Sequence, residues 1–243
     1  MRFNALLNLQ KKLVEIAFET REKARVSYSG YKVGAAVMTE NKEIFSGFNL
    51  ENITYIVPHA EEQAIRLAKE AGHNKIISLV VYTNSQIPPF PCGHCRQIIA
   101  DSSLLYDMNP NIIAGNDKDV FSIEKISTIL PRYNNFSKKK ILVQVRTDKN
   151  RYTSAFTERQ ALELSLKKCY MSDNEKILSV LYFSDSKKPL FPSGFNRQLL
   201  AEIEKEQNEK IEVIAKTASG LEERMFVSEL LPFSFGVESL NNT

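Results

Sequence analysis

The sequence predicts an α/β protein built as two tandem α/β/α sandwich units, each around a mixed sheet, the second a trimmed and degenerate copy of the first. Three observations carry this reading. Along the chain the hydrophobic period switches repeatedly between about 2 and about 3.6, the alternation of strands and helices that builds layered α/β units. Two segments recur in the same order: His59-Ala60-Glu61-Glu62-Gln63-Ala64-Ile65 returns 97 residues later as Phe156-Thr157-Glu158-Arg159-Gln160-Ala161-Leu162, and Pro91-Cys92-Gly93-His94-Cys95-Arg96-Gln97 returns 101 residues later as Pro192-Ser193-Gly194-Phe195-Asn196-Arg197-Gln198. Finally, 43% of the 243 residues are hydrophobic and a quarter are charged, with no low-complexity tract, which suits a globular protein with a real core and excludes disordered, collagen-like and membrane-spanning classes.

The elements follow in order. Apolar positions at Leu6, Leu9, Leu13 and Ile16 or Ala17, with charges on the other face, predict an opening helix that docks on a core and is not a signal peptide. Residues 31–39 and 44–49 read as strands joined by a polar turn at Glu40 to Glu43. Residues 59–71 read as a helix with apolar positions at Ala60, Ala64, Leu67 and Ala68, and 76–83 as a strand buried on both faces. A Pro-rich loop at 87–91 leads into a helix from about Cys92, then strands at 111–114 and 118–122 and a short helix. The second copy starts near Lys140, without the opening helix and with a shorter first hairpin. Both copies close on a Leu-Pro, at Leu130-Pro131 and Leu231-Pro232, and the expected domains are 1–136 and 137–243.

Charge and cysteine usage narrow the function. A net charge of +3 is too weak to argue for nucleic acid, and the run Lys138, Lys139, Lys140 reads as a solvated turn. Neither G-x-G-x-x-G nor G-x-x-x-x-G-K-[ST] occurs, which removes the main signals for dinucleotide and P-loop chemistry. Three cysteines cannot make a disulfide framework, so a reducing, cytoplasmic setting with no membrane partner is expected.

His59, Cys92 and Cys95 form the one imidazole–thiolate set with ligand spacing. Three protein ligands leave a fourth tetrahedral position on Zn²⁺ open, as catalytic sites do. Cys92 and Cys95 are expected on the first turn of their helix, where unpaired N–H groups favour thiolates. Glu61, two residues after His59, falls beside the metal without ligating it, where a proton carrier is needed. H-x-E with P-C-x-x-C is the signature of zinc-dependent base deaminases, in which water attacks C4 of cytosine or C6 of adenine. A structural zinc or a redox C-x-x-C is the competing reading, but a structural site wants a fourth ligand and Cys169 lies in the other copy. His73 reads as a solvated residue at a helix end, and His94 as turned away from the metal.

With these motifs in place the sequence resembles the cytidine deaminases. The resemblance rests on Tyr28-Ser29-Gly30-Tyr31-Lys32-Val33-Gly34-Ala35-Ala36, Gly47-Phe48-Asn49-Leu50-Glu51-Asn52, His59-Ala60-Glu61 and Pro91-Cys92-Gly93-His94-Cys95-Arg96-Gln97, in the family's order. His59 as first ligand and a degenerate second half resemble the two-domain, homodimeric branch. The resemblance implies one Zn²⁺ per chain on His59, Cys92 and Cys95, Glu61 as catalytic acid/base, and a nucleoside substrate: cytidine or 2′-deoxycytidine, in pyrimidine salvage. It implies Asn49 and Glu51 on the ribose hydroxyl, Tyr31 and Ala60 at the base, Arg96 behind a cysteine sulfur with Gln97 packed behind it, and the Pro91 carbonyl near the leaving ammonia. It further implies that the C-terminal segment, through Phe233 or Phe235, covers a catalytic site. In the second copy the ligand positions read Phe156, Ser193 and Asn196, so no zinc is expected there although Glu158 persists. The alternatives are deamination of a polynucleotide or an unusual aminonucleoside, which a grip on a free 3′-OH disfavours, and a non-catalytic zinc scaffold, which the intact Glu61 disfavours.

Overall fold

The computed structural model describes residues 1–52, 58–134, 140–170 and 175–236. The chain divides into two compact units, Met1–Ile129 together with the C-terminal stretch from Phe235, and Leu130–Ser234. This differs from a division at residue 136 for two local reasons. The buried Arg197 guanidinium donates to the carbonyls of Pro131 and Arg132, tying that segment to the second unit, and Phe235 packs its ring on Tyr31 of the first.

The first unit runs α1 (Asn8–Arg21), β1 (Val33–Thr39), β2 (Ile44–Phe48), α2 (Ala60–Glu70), β3 (Ile76–Thr83), α3 (Gly93–Asp101), β4 (Asn111–Asn116), β5 (Phe121–Lys125) and the one-turn α4 (Ile126–Ile129). Its sheet order is β2-β1-β3-β4-β5, with β3 and β4 parallel and the other pairs antiparallel. Alternation separates the faces. Ala36, Met38, Val80, Tyr82 and Ile113 meet Leu6, Leu13, Val14 and Ala17 of the α1 side. On β1, Gly34 lets α1 come so close that a Cβ there would sit 2.1 Å from the Ala17 carbonyl oxygen. On the opposite face α2 rests on Gly47, where a Cβ would sit 2.4 Å from the Ala60 carbonyl oxygen. Helices therefore cover both faces.

Three expectations shift in detail. Leu9 is exposed, because the buried stripe of α1 runs Leu13, Val14, Ala17 and Arg21. Leu67 is exposed as well: the buried stripe of α2 is Ala60, Glu61, Ala64, Ile65 and Ala68, rotated toward a carboxylate that apolar periodicity cannot report. The last strand is Phe121–Lys125 and not 118–122, since the Asn116 side-chain oxygen accepts the N–H groups of Lys118 and Val120 and closes a turn there.

The second unit runs β6 (Lys140–Thr147), β7 (Arg151–Thr157), α5 (Glu158–Tyr170), β8 (Ile177–Ser184), α6 (Gly194–Gln207), β9 (Glu212–Thr217), β10 (Glu222–Phe226) and α7 (Val227–Leu230). Sheet order β10-β9-β8-β6-β7 repeats that of the first unit. The registers repeat too: Ser78 pairs Asn111 where Ser179 pairs Glu212, and β1 and β6 each slip by one residue at their last pair with the central strand. The hairpin itself is not shortened. What is missing is the connection after it, because β7 runs straight into α5 where ten residues, 49–58, separate β2 from His59. Among the described residues of the second unit no helix precedes β6, and the matching sheet face, with Leu142, Gln144, Leu181, Phe183 and Ile214, is only half-buried. The described second unit is thus two-layered where the first is three-layered. Lys138 and Lys139 lie outside the described residues.

Candidate active site

Two helix N-termini converge to build the site. His59 is the N-cap of α2, with φ −69° and ψ 161°, and Cys92 is the N-cap of α3, with φ −62° and ψ 164°. Both residues are extended, so their side chains project beyond the helix ends, while Cys95 follows within the first turn of α3. His59 Nδ1 stands 3.5 Å from Cys92 Sγ and 3.3 Å from Cys95 Sγ, and the three donor atoms lie within 4.8 Å of one another. Bonds of roughly 2.0 Å to nitrogen and 2.3 Å to sulfur in a tetrahedron place donors about 3.5 Å apart. Two thiols and one imidazole at that spacing fit a single Zn²⁺ with one position left over.

The protein groups alone already polarise the cluster. His59 is pushed up to about 9, chiefly by its hydrogen bond to Cys92. Cys92 is the thiol that ionises first, held well below the usual range by a hydrogen bond from Cys95 against the cost of burial. Glu61 is buried in the first turn of α2, and its carboxyl is raised by that burial and then by the charge of Cys92, with His59 opposing.

These residues open onto a cavity of about 330 Å³ lined by Ser29, Tyr31, Val33, Asn49, Glu51, His59, Ala60, Glu61, Val81, Thr83, Pro89, Phe90, Pro91, Cys92 and Phe235. Asn49 and Glu51 reach it in a specific way. The Asn49 amide straps β1 to its approach, Oδ1 accepting from Val33 N at 2.9 Å and Nδ2 donating to the Tyr31 carbonyl at 2.8 Å. Glu51 accepts from the Tyr28 and Ser29 backbone N–H groups at 3.0 and 3.1 Å and from the Ser29 hydroxyl. Burial works to raise the Glu51 carboxyl, but those three donors outweigh it and hold it low. Tyr31 presents its ring to the cavity, edge-on to Phe235 at 5.8 Å between centroids. Its hydroxyl is buried in the wall beside Thr83 and Ser85. Of the two candidate C-terminal phenylalanines, Phe235 is the one at the cavity, while Phe233 is exposed.

Behind the site Arg96 is fully buried, donating Nε to the Pro91 carbonyl at 2.6 Å and Nη1 to the Ile129 carbonyl at 2.8 Å, and burial lowers it to about 10. The Pro91 oxygen therefore already accepts one strong hydrogen bond. Gln97 donates to Asp101 at 3.1 Å. His94 stands 3.6 Å from Glu62 and is outside the donor cluster. His73 is half-buried and partnered: it pairs with Glu43 at 2.6 Å and packs on the Phe45 ring. Two parts of the cavity escape sequence reasoning, Val81 and Thr83, the latter with its hydroxyl 2.6 Å from that of Ser85 behind the wall. Their signal was present, since residues two apart on β3 share a face.

In the second unit the corresponding corner contains no metal ligands among its described side chains. Glu158 Oε1 accepts from Ser193 N at 2.9 Å and from Asn196 Nδ2 at 2.7 Å, all three residues buried. Cys169 sits apart at the end of α5.

Comparison with known proteins gives the family. Residues 7–106 match the family model described as cytidine and deoxycytidylate deaminase zinc-binding region. The chain is 31% identical over 120 residues to a cytidine deaminase of Halalkalibacterium halodurans, covering 49% of this chain and 89% of that protein. It is 38% identical over 92 residues to one of Sporosarcina psychrophila, covering 37% and 68%. A solved cytidine deaminase from Burkholderia pseudomallei superposes with a TM-score of 0.47 at 31% identity, over 51% of this chain and 97% of that one. The matched family region contains His59, Glu61, Cys92 and Cys95, and with bacterial relatives shared over most of their length this chain belongs to the cytidine deaminase family.

Proposed function

We propose that the first unit hydrolytically deaminates cytidine and 2′-deoxycytidine to uridine and 2′-deoxyuridine, releasing ammonia in pyrimidine salvage, with Glu61 as the proton carrier. The observation that carries this is the convergence of the α2 and α3 N-termini, which gathers His59, Cys92 and Cys95 within 4.8 Å beside a buried carboxyl that faces a nucleoside-sized cavity. Held by those three residues, one Zn²⁺ per chain supplies the Lewis acidity that makes water a nucleophile near neutral pH. Glu61, raised by burial, is suited to exchange protons there: it would take one proton from the attacking water and pass it to the ring nitrogen, then take the second from the added hydroxyl and pass it to the departing amine.

The sugar end has donors and acceptors to spare. A carboxylate offers about four acceptor sites and an amide two N–H donors. Glu51 spends three sites on Tyr28 and Ser29, and Asn49 spends one N–H on Tyr31, which leaves an acceptor and a donor for a ribose hydroxyl. A pair so placed grips a free hydroxyl and excludes a following nucleotide, which favours nucleosides over nucleic acid. Ala60 and the rings of Tyr31 and Phe235 bound the base. Division of labour follows: the unit expected over 1–136 works, and that over 137–243 holds no metal. The chain is proposed to act as a cytoplasmic homodimer. No helix among the described residues is long and apolar enough to cross a membrane.

Purified, zinc-quantified protein incubated with cytidine, 2′-deoxycytidine, cytosine, CMP and adenosine tests the reading through ammonia release. Release from the two cytosine nucleosides is expected; release from adenosine alone, or from none, overturns it.

A further inference from the structure

The two units share a strand register, and it places a tyrosine where the first unit has its cavity floor. On β3, Val81 lies between Ala35 of β1 and Ala114 of β4 and lines the cavity with Thr83. On β8 the same rung is Tyr182, between Val143 of β6 and Ala215 of β9, followed two residues later by Ser184 in place of Thr83. The surroundings coincide: Ser184 and Ser186 hydroxyls stand 2.6 Å apart as those of Thr83 and Ser85 do, and Arg197 donates to the Pro192 carbonyl at 2.6 Å as Arg96 does to Pro91.

From that rung the Tyr182 side chain, 1% exposed, crosses to the far corner, where Asn196 Nδ2 donates to its hydroxyl at 3.2 Å. Asn196 and Ser193 stand at the positions of Cys95 and Cys92, and Glu158 at that of Glu61. The phenol ring therefore bridges the same floor and the same corner that bound the open cavity of the first unit. Its six-membered ring fills an apolar slot, and its hydroxyl meets the polar end formed by Asn196 and Glu158.

We propose that the second unit retains a ligand pocket of the same plan, occupied by its own Tyr182 side chain, and that removing this side chain exposes a binding site for a small hydroxylated aromatic molecule. Internal cavities of this kind take up free ligands that match their walls. Here the match is p-cresol, the tyrosine side chain as a separate molecule, with a ring for the slot and a hydroxyl for the Asn196 amide and the Glu158 carboxylate. The proposal rests on the repeat and not on the reaction proposed for the first unit.

The experiment uses the full chain and the variants Tyr182→Ala and Tyr182→Val, the second restoring the residue of the first unit. Thermal unfolding is followed with and without millimolar p-cresol, with the wild type and Tyr182→Phe as controls. Both truncations are expected to melt lower by several degrees, and p-cresol to restore at least half of that loss in Tyr182→Ala while leaving wild type and Tyr182→Phe unmoved. A truncated chain that folds only with p-cresol is the same result in stronger form. No selective shift, an equal shift in the controls, or both truncations remaining unfolded at saturating p-cresol overturns the proposal. Cytidine turnover plays no part in the readout, so failure here is distinguishable from failure of the proposed reaction.

Discussion

The corners around Glu61 and Glu158 are the same piece of architecture solved in two ways. In the first unit a buried carboxyl faces a cavity and three metal-ligating atoms; in the second it is closed in by a backbone N–H, an asparagine amide and a tyrosine ring. Both helices begin with an acidic residue in the first turn, and both following helices are capped by the residue at the first cysteine position. The same scaffold thus stands without the imidazole and thiols where the buried carboxyl has donors of its own, the Ser193 N–H and the Asn196 amide. The same contrast appears one layer out. Gly34 and Leu142 occupy matching rungs, opposite Tyr82 and Phe183, and glycine is needed only where α1 packs down on the sheet.

The largest contrast is expected in catalysis. Glu61→Gln removes the proton carrier and should lower kcat by about 10²–10⁴-fold with zinc content unchanged. Glu158→Gln should leave kcat within twofold of wild type, and the pair of rate measurements separates a working carboxyl from a retained one. Next come the buried arginines. Arg197 donates to four carbonyls, of Pro192, Pro131, Leu230 and Arg132, and Arg96 to at least those of Pro91 and Ile129. Arg197→Met leaves those acceptors orphaned, and denaturant unfolding should show a loss of about 3–5 kcal/mol, with Arg96→Met no larger.

Smaller effects follow from the sheet faces. Gly34→Ala drives a methyl group into the Ala17 carbonyl and should cost about 1–3 kcal/mol, whereas Leu142→Ala on the half-buried face should cost about 1 kcal/mol. Equal losses in thermal unfolding would show that the second sheet is covered as the first is. The smallest effect is a pH dependence. Burial raises Glu158 above its unfolded value, so the folded chain holds a proton that the unfolded chain has released, and this stability is lost as pH rises from the ordinary carboxylate range through the folded value. Glu158→Gln keeps an acceptor for Ser193 and Asn196 and removes the titrating proton. It should flatten that slope, so that unfolding followed across pH shows the two chains diverging in stability as pH rises above the ordinary carboxylate range.

How much was legible in the sequence follows from whether a property is local. The pairings of His59 with Glu61 and of Cys92 with Cys95 were legible because a helix N-terminus fixes which residues share its first turn, whereas the approach of His59 to Cys92, 33 residues on, is a contact between distant segments that only the joint motif signalled. The repeat was legible because its second segment keeps one offset from strand to helix. Burial of Leu9 and Leu67 was misread because the docking face is set by what the helix meets, including Glu61. The partners of His73, the missing third layer of the second unit and the role of Tyr182 are contacts between distant segments, and no local pattern carries them.

The central claim is one metal centre per chain, in the first unit only. Elemental analysis of zinc per chain on wild type, Cys95→Ser and Asn196→Ala tests it most directly. One zinc is predicted for wild type and Asn196→Ala, and a fall toward zero for Cys95→Ser. Two zinc ions in wild type, or a full equivalent retained in Cys95→Ser, would contradict it.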